Sequence, residues 1–340
     1  MEISFIDSRR LANPLYIDVR SPAEFREDHI PGAVNIPLFD DQERAEIGTL
    51  YRQDMAAARQ LGLRIIAPKL VGLMDRLARM AKSNNLILYC WRGGLRSQCI
   101  YEVTKLMRIP CYRLLGGYKD YRAQVHAFFE QELPFQIALL HGLTGVGKTR
   151  LLHAAAEIGV QVLDLEGLAN NRGSVFGNIG LSGQPSQKAF ESALWAQLSS
   201  FDPDLAVVCE CESRRIGQLI IPGTLFAAMQ RGRRILAYAP ISKRVQNILE
   251  DYQPQGREED LVQALSNLKA RIGKEALHKL SLKLYGGDFA AVIEYLLVHY
   301  YDPLYAYPQG PSDQFCLSLD CANLDQAAQS LAYHLAPALL

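Results

Sequence analysis

The sequence predicts an α/β protein made of two parallel-sheet domains in tandem, followed by a helical region. Three observations carry this. Through the first third of the chain short apolar runs alternate with helical patterns, the signature of strands joined by crossover helices. A second unit of the same kind opens at Phe135-Gln-Ile-Ala-Leu-Leu and runs directly into a glycine-rich loop. After Pro240 apolar residues recur at spacings of three and four for about a hundred residues, which is helical periodicity.

Length and composition agree with two domains: the chain has 340 residues, 49% of them apolar, ample for globular cores. Lys plus Arg equals Asp plus Glu at 36 each, so no global field draws polyanions and any nucleic-acid contact must come from a local patch. The stretch from Met1 to Pro14 lacks the apolar core of a signal peptide, and no run approaches the ~20 apolar residues of a membrane span. Seven cysteines include neither a C-x-x-C pair nor a zinc-ligand spacing. The expectation is a cytoplasmic protein with reduced thiols, no membrane partner and no metal centre. Cys209 and Cys211, two apart in a strand-like run, share a face but have no recognisable further ligands.

The first domain is expected over residues 1–125. Its strands are Pro14 to Val19, Ala33 to Ile36, Leu86 to Tyr89 and Cys111 to Leu114, with helices around Ala23 to Asp28 and over Pro68 to Ala81. Tyr121 to Glu132 reads as a helix leaving this domain, with a linker over 126–134 and a boundary at Pro134.

The apolar strand Leu86 to Tyr89 ends on Cys90-Trp-Arg-Gly-Gly-Leu-Arg-Ser, and a helical run follows. Backbone N–H groups of such a loop converge at a helix N-terminus, and the positive dipole end together with Arg92 and Arg96 favours a thiolate at Cys90 and an anionic ligand beside it. Most free cysteines are inert core residues. Two glycines flanked by arginines are a poor way to build a core, so Cys90, Arg92 and Arg96 are the predicted catalytic set. Cys99 and Cys111, in an amphipathic helix and a strand, read as structural.

Upstream, Tyr16-Ile-Asp-Val-Arg-Ser-Pro-Ala-Glu-Phe-Arg-Glu-Asp-His-Ile-Pro-Gly-Ala-Val-Asn-Ile-Pro resembles the N-terminal signature of the rhodanese domain, and Leu114-Leu-Gly-Gly-Tyr resembles its C-terminal one. The resemblance implies that Cys90 is a persulfide- or perselenide-type carrier and that Asp18 and Arg20 form a buried framework pair. The loop departs from the ordinary pattern. Cys90 to Arg96 is C-x5-R, one residue longer than in common sulfurtransferases of this fold and matching related phosphatases and arsenate reductases. It therefore permits phosphate chemistry as well as chalcogen transfer.

The second domain is expected over residues 135–240. Gly142-Leu-Thr-Gly-Val-Gly-Lys-Thr matches G-x-x-x-x-G-K-[ST], follows the strand Ile137 to Leu140 and opens the helical run Arg150 to Glu157, the context of a P-loop. Gly142, Gly145 and Gly147 free the backbone N–H groups to cradle a diphosphate, Lys148 reaches its outer oxygens, and Thr149 is suited to hold magnesium. Further strands are expected at Val160 to Leu165, Leu205 to Glu210 and Arg234 to Tyr238. Glu210 stands where an NTPase carries an acidic residue, with Asp164 and Glu212 as other candidates, and no base-reading motif is evident. The stretches Asp164 to Gly177 and Glu210 to Gly217 follow strands at their C-terminal ends, where open α/β sheets place ligands, so Arg172, Arg214 and Arg215 are candidates to face phosphates.

Residues 241–340 are expected to be helical and to meet nucleic acid. Between 231 and 283 there are eleven Lys and Arg against six Asp and Glu, and Lys243, Arg244, Arg271 and Lys274 are candidates for a stripe along an RNA backbone.

The order of C-W-R-G-G-L-R-S, G-L-T-G-V-G-K-T, D-L-E-G-L-A-N-N-R-G-S and E-S-R-R-I-G resembles the tRNA 2-selenouridine synthase family over essentially the whole chain. The resemblance implies a selenium transferase that replaces the sulfur of wobble 2-thiouridine in tRNA with selenium from selenophosphate. It also implies an S-geranylated intermediate made from geranyl diphosphate, and no tightly bound cofactor. Geranyl transfer then belongs to the P-loop, with an apolar groove beside it, and selenation to the cysteine loop. Cys90 either carries the selenium or only positions its donor, and the residues do not choose. The rival readings are a C-x5-R phosphatase or arsenate reductase fused to a P-loop kinase or NTPase, and an ATP-driven RNA-binding module.

Overall fold

A computed structural model describes residues 1–171, 183–210 and 213–336, and the chain divides into two compact units. The first holds Met1–Glu130 together with Ser186–Ala196, and the second holds the remainder.

The first unit is a five-stranded parallel sheet flanked by helices, built in chain order from β1 (Glu2–Ile3), α1 (Phe5–Ser8), β2 (Pro14–Asp18), α2 (Pro22–Glu27), β3 (Val34–Asn35), α3 (Asp41–Gln53), α4 (Met55–Ile66), α5 (Leu70–Met80), β4 (Asn85–Tyr89), α6 (Leu95–Leu106), β5 (Cys111–Leu114) and α7 (Gly117–Glu130). The strand order is β1-β5-β4-β2-β3, and every pairing is parallel. β4 is central, and its residues Leu86 to Tyr89 are fully buried, as a continuous apolar run in a sheet covered on both faces must be. Strand periodicity sorts them: Leu86, Leu88 and Cys90 join one core with Met74, Leu77 and Ile100, while Ile87 and Tyr89 join the other with Phe5, Tyr118 and Tyr121. Helix starts are locally encoded. Ser21 and Glu24 form a capping box with Pro22 in the first turn of α2, and Asp40 and Glu43 form one for α3. The two helices α3 and α4 fill a stretch where the apolar pattern predicts no element.

Residues 186–196 fall within the expected second domain by sequence, yet they pack into the first core. The Trp195 ring lies 5.5 Å from Phe5 and 5.6 Å from Tyr121, the Ser192 hydroxyl donates to Asp28 at 2.9 Å, and Arg122 pairs with Glu191 at 2.6 Å. Contiguous boundaries drawn along the chain do not anticipate this insertion.

The second unit runs through β6 (Ile137–His141), α8 (Lys148–Glu157), β7 (Gln161–Leu163), α9 (Leu165–Leu168), α10 (Gln187–Leu198, most of which belongs to the first unit), β8 (Val207–Glu210), the hairpin β9 (Arg215–Ile216) and β10 (Leu219–Ile220), α11 (Gly223–Gln230), β11 (Arg233–Tyr238), α12 (Ile241–Tyr252), α13 (Glu258–Ser266), α14 (Lys269–Ile272), α15 (Lys274–Tyr285), α16 (Phe289–Leu296), α17 (Asp302–Tyr305), β12 (Leu317–Asp320) and α18 (Leu324–Leu335). Its parallel sheet has the order β12-β11-β6-β8-β7. The helices from α13 to α16 bury their own apolar cluster, including Leu261, Leu265, Leu280, Leu284 and Leu296.

The C-terminal region is therefore not helical throughout. β12 pairs with β11, and Leu319, Cys321, Ala327, Ala328 and Leu331 return to the core under the P-loop helix. A four-residue strand, Leu317-Ser-Leu-Asp, offers too few residues for its alternation to stand out from the helical periodicity around it. Among the described residues no helix is long and apolar enough to cross a membrane.

Candidate functional site

Two strand-to-helix loops carry half of the predicted residues, one loop in each unit. In the first, β4 delivers Cys90 to the mouth of the sheet with only 3% of its surface exposed. The loop is pinned by backbone bonds from Tyr118 to the Cys90 carbonyl and from Lys119 to the Trp91 carbonyl, both 2.9 Å. Gly117 makes this approach possible, because a Cβ there would lie 2.3 Å from the Cys90 carbonyl oxygen. Gly94 caps α6, so Leu95, Arg96 and Ser97 occupy the first helical turn with N–H groups free of intrahelical partners. The Cys90 sulfur is 3.3 Å from the Ser97 hydroxyl and 3.8 Å from the Gly94 carbonyl.

The two arginines of this loop are not equivalent. Arg92 is exposed. Arg96 is only 18% exposed, and its guanidinium grips Glu24 of α2 through contacts of 2.6 and 3.3 Å. Burial alone would push the Glu24 carboxyl up, but the bond and charge of Arg96, helped by the Ser21 N–H and Arg44, hold it below the usual range. The expectation that both arginines act freely on the thiol is corrected: the charge of Arg96 is met by a carboxylate 72 residues away in sequence. Asp18 and Arg20 are the buried framework pair that was expected, at 2.6 Å, with the guanidinium 3.9 Å over the Tyr118 ring.

In the second loop Lys148 opens α8 and donates to the Gly142 carbonyl at 2.7 Å. Thr149 donates to Glu210 at 2.8 Å, which is possible because β8 lies beside β6 and sets Glu210 opposite Leu140. Glu210 is 2% exposed. Burial pushes its carboxyl up, while Lys148 and the Thr149 hydroxyl pull the other way.

The loop's carbonyls are held from α12: Arg244 Nε donates to Thr144 O at 2.8 Å, and Asn247 Nδ2 to Gly145 O at 2.9 Å. Gly145, at φ +81, lies so close to this helix that a Cβ would meet Ile248 Cδ1 at 2.8 Å and the Arg244 carbonyl at 3.0 Å. Arg150 of α8 adds ion pairs of 2.6 Å to Glu250 and Asp251. His141, just before the loop, is buried with Nδ1 3.0 Å from the Tyr307 hydroxyl. Burial, then the charges of Arg234 and Lys148, push it down to about 4.

Other predicted residues lie elsewhere. Arg244 is not part of a surface stripe: it is 2% exposed and forks onto Asp302 at 2.9 and 2.5 Å, because its position on α12 faces the loop and α17. Lys243 is half-buried on α12, whereas Arg271 and Lys274, on α14 and α15, are exposed. Arg214 and Arg215 are exposed at the β9–β10 hairpin, where their Nε groups reach local carbonyls of Ile221 and Gly217. Arg172, Cys211 and Glu212 lie outside the described residues. Cys209 is fully buried, and among the described residues no cluster of three His, Cys, Asp or Glu could hold a metal. Sequence reasoning missed Glu24, Ser97, Asn247 and Asp302. Of these Glu24 and Ser97 stood inside quoted motifs, without a role of their own.

Comparison with known proteins follows this geometry. Residues 135–330 match the model described as tRNA 2-selenouridine synthase AAA domain, and residues 6–124 match the rhodanese-like domain. The tRNA 2-selenouridine synthase of Aeromonas salmonicida strain A449 is 35% identical over 86% of this chain and 87% of that protein. Those of Nitrosomonas europaea and Pseudomonas syringae pv. syringae are 33% and 36% identical, covering 87% and 86% of this chain and 89% and 87% of theirs. With both loops in place and relatives aligned across both units, the chain belongs to the tRNA 2-selenouridine synthase family.

Proposed function

We propose that the chain makes 2-selenouridine in tRNA in two chemical steps divided between its two loops. At the P-loop the sulfur of wobble 2-thiouridine attacks the first carbon of geranyl diphosphate, the carbon–oxygen bond breaks, diphosphate leaves, and the base loses its N3 proton. At the cysteine loop the selenium of selenophosphate attacks the base carbon that bears the geranylated sulfur, the carbon–sulfur bond breaks and geranylthiol leaves, and water then cleaves the phosphorus–selenium bond to release phosphate and 2-selenouridine.

One observation carries this reading. The helix that braces the P-loop also walls a small apolar cleft, about 50 Å³ in volume and open to solvent, lined by Ile248, Tyr252, Leu261, Leu284, Val292 and Leu296 among others. Ile248 touches Gly145 on one side and this cleft on the other. A P-loop with hydrocarbon beside it suits a prenyl diphosphate better than a nucleotide, because burying each methylene contributes ~0.8 kcal/mol and a base would find few polar partners.

Sulfur is already a good nucleophile, so the step chiefly needs its leaving group stabilised. Fixed N–H groups and Lys148 supply that. A hydroxyl and a carboxylate, Thr149 and Glu210, are the hard oxygen donors magnesium prefers, and a bound ion there would neutralise diphosphate charge. In the other unit, Arg92 and the first-turn N–H groups of α6 would meet the phosphate end of selenophosphate, with Cys90 at the selenium. Exposed Arg271 and Lys274 serve the tRNA backbone, in the cytoplasm where tRNA resides.

The test is nucleoside mass spectrometry of tRNA treated with the purified chain. Wild type should yield S-geranyl-2-thiouridine with geranyl diphosphate and 2-selenouridine when selenophosphate is added. Failure to transfer geranyl, or hydrolysis of an aryl phosphate lost in Cys90→Ser, would replace this reading with a rival one.

A further inference from the structure

The sulfur of Cys90 has a neighbour that neither motif reasoning nor the family match assigns. Ser97 is fully buried, sits in the first turn of α6, and places its hydroxyl 3.3 Å from Sγ. The same hydroxyl lies 3.2 Å from the Gly94 carbonyl, which is also the acceptor 3.8 Å from the sulfur.

Charged groups around the loop are mostly spent on one another. Arg96 is gripped by Glu24 of α2, with Arg44 of α3 3.6 Å from the same carboxylate. Arg113 of β5 bonds Glu2 of β1 and the Gly93 carbonyl. Arg20 at the end of β2 is paired with Asp18, and Tyr118 of α7 donates to Asp28. Only Arg92 is an exposed cation of the loop itself.

We infer that Ser97 is the direct hydrogen-bond donor to the Cys90 thiolate and switches its hydroxyl hydrogen between two acceptors. While Cys90 is a thiol, the Ser97 hydroxyl donates to Gly94 O. When the thiol proton leaves to solvent, the hydroxyl turns and donates to the sulfur anion. The S–H bond breaks with its electron pair left on sulfur and its proton passed to solvent, no bond between heavy atoms forms or breaks, and the negative charge left on sulfur is the one the hydroxyl and the first-turn N–H groups receive. The switch stabilises a thiolate at a buried position without drawing on Arg96, whose charge is met by Glu24. It rests on the proposed role of Cys90 as the reacting thiol.

The experiment is alkylation of the full chain by iodoacetamide across pH, read on the Cys90 peptide by mass spectrometry because exposed Cys316 also reacts. In Ser97→Ala, which removes only the hydroxyl, the rate at neutral pH should fall about tenfold. The pH of half-maximal rate should rise by about one to two units, with an unchanged plateau at high pH. Ser97→Thr, which keeps the hydroxyl, should keep the wild-type profile. A Ser97→Ala curve superimposed on wild type, or lowered equally at every pH, overturns the inference. Selenation that persists in Cys90→Ala would instead remove the role of Cys90 and leave the alkylation result standing, so the two failures are distinguishable.

Discussion

The cysteine loop and the P-loop solve one physical problem in two ways. Each follows the middle strand of a five-stranded parallel sheet, β4 in one unit and β6 in the other, and each opens a helix whose first N–H groups have no partner. Both are therefore anion sites by construction. They differ in what stands within reach. In the first a nucleophilic atom is buried beside a hydroxyl, and the arginine at the loop's end is tied to Glu24. In the second there is no nucleophile: Lys148 and Thr149 stand at the cradle, and α12 holds its carbonyls from outside. A helix N-terminus supplies affinity for negative charge. Side chains around it decide whether that charge is attacked or carried off as a leaving group.

The sharpest way to break this contrast is to disable each loop in turn. Cys90→Ala should abolish selenation of geranylated tRNA and spare geranyl transfer, while Lys148→Ala should cut geranyl transfer by ~10²-fold or more and spare selenation of tRNA supplied already geranylated. Loss of both activities in either folded variant, followed by nucleoside mass spectrometry, would dissolve the division.

The external brace can be tested through stability. Arg244→Met leaves Asp302 without its partner and Thr144 O without its donor, and should lower the unfolding free energy by about 3 kcal/mol in denaturant titrations. Arg244→Lys should recover little of it, since an ammonium cannot reproduce the fork.

Acid should also act on the P-loop unit. His141 is held down at about 4 against an ordinary 6.5, so the unfolded chain takes up its proton first. Its contribution to stability is full above pH 6.5 and is lost as pH falls toward 4, by up to about 3 kcal/mol. His141→Gln should flatten that part of the stability–pH curve measured by thermal melting.

The smallest effect is expected at Glu24. Its carboxyl is held low, so its contribution is present at neutral pH and fades as acid protonates it, by about 1 kcal/mol for this partly exposed pair. Glu24→Gln also releases Arg96, and inhibition of selenation by phosphate or arsenate should strengthen several-fold. Unchanged inhibition would mean that Arg96 is an internal brace whatever its partner.

Much of this was legible in the chain. Cys90 to Ser97 and Gly142 to Thr149 are contiguous, and strand, loop and helix are encoded within each run by apolar residues, glycines and a polar helix start. What escaped were residues whose partners are remote. Glu24 lies inside the rhodanese-like signature, and nothing there says that its carboxylate closes a capping box and also holds Arg96. Arg244 counted as one more cation in a basic stretch, because burial is not written in a residue's charge. Asn247 and Asp302 belong to no motif at all.

The sequence by itself determined the two parallel-sheet units, the two loops, the family and the residues at each helix start, because these depend on short-range pattern and backbone chemistry. Only the tertiary structure decided which charges are free and which are spent, that residues 186–196 complete the first core, that β12 and α18 return to the second sheet, and that α12 joins an apolar cleft to the P-loop. Those outcomes depend on which surfaces come within a few ångströms after folding, and contact between residues separated by tens of positions leaves no periodicity in the chain for a reader to find.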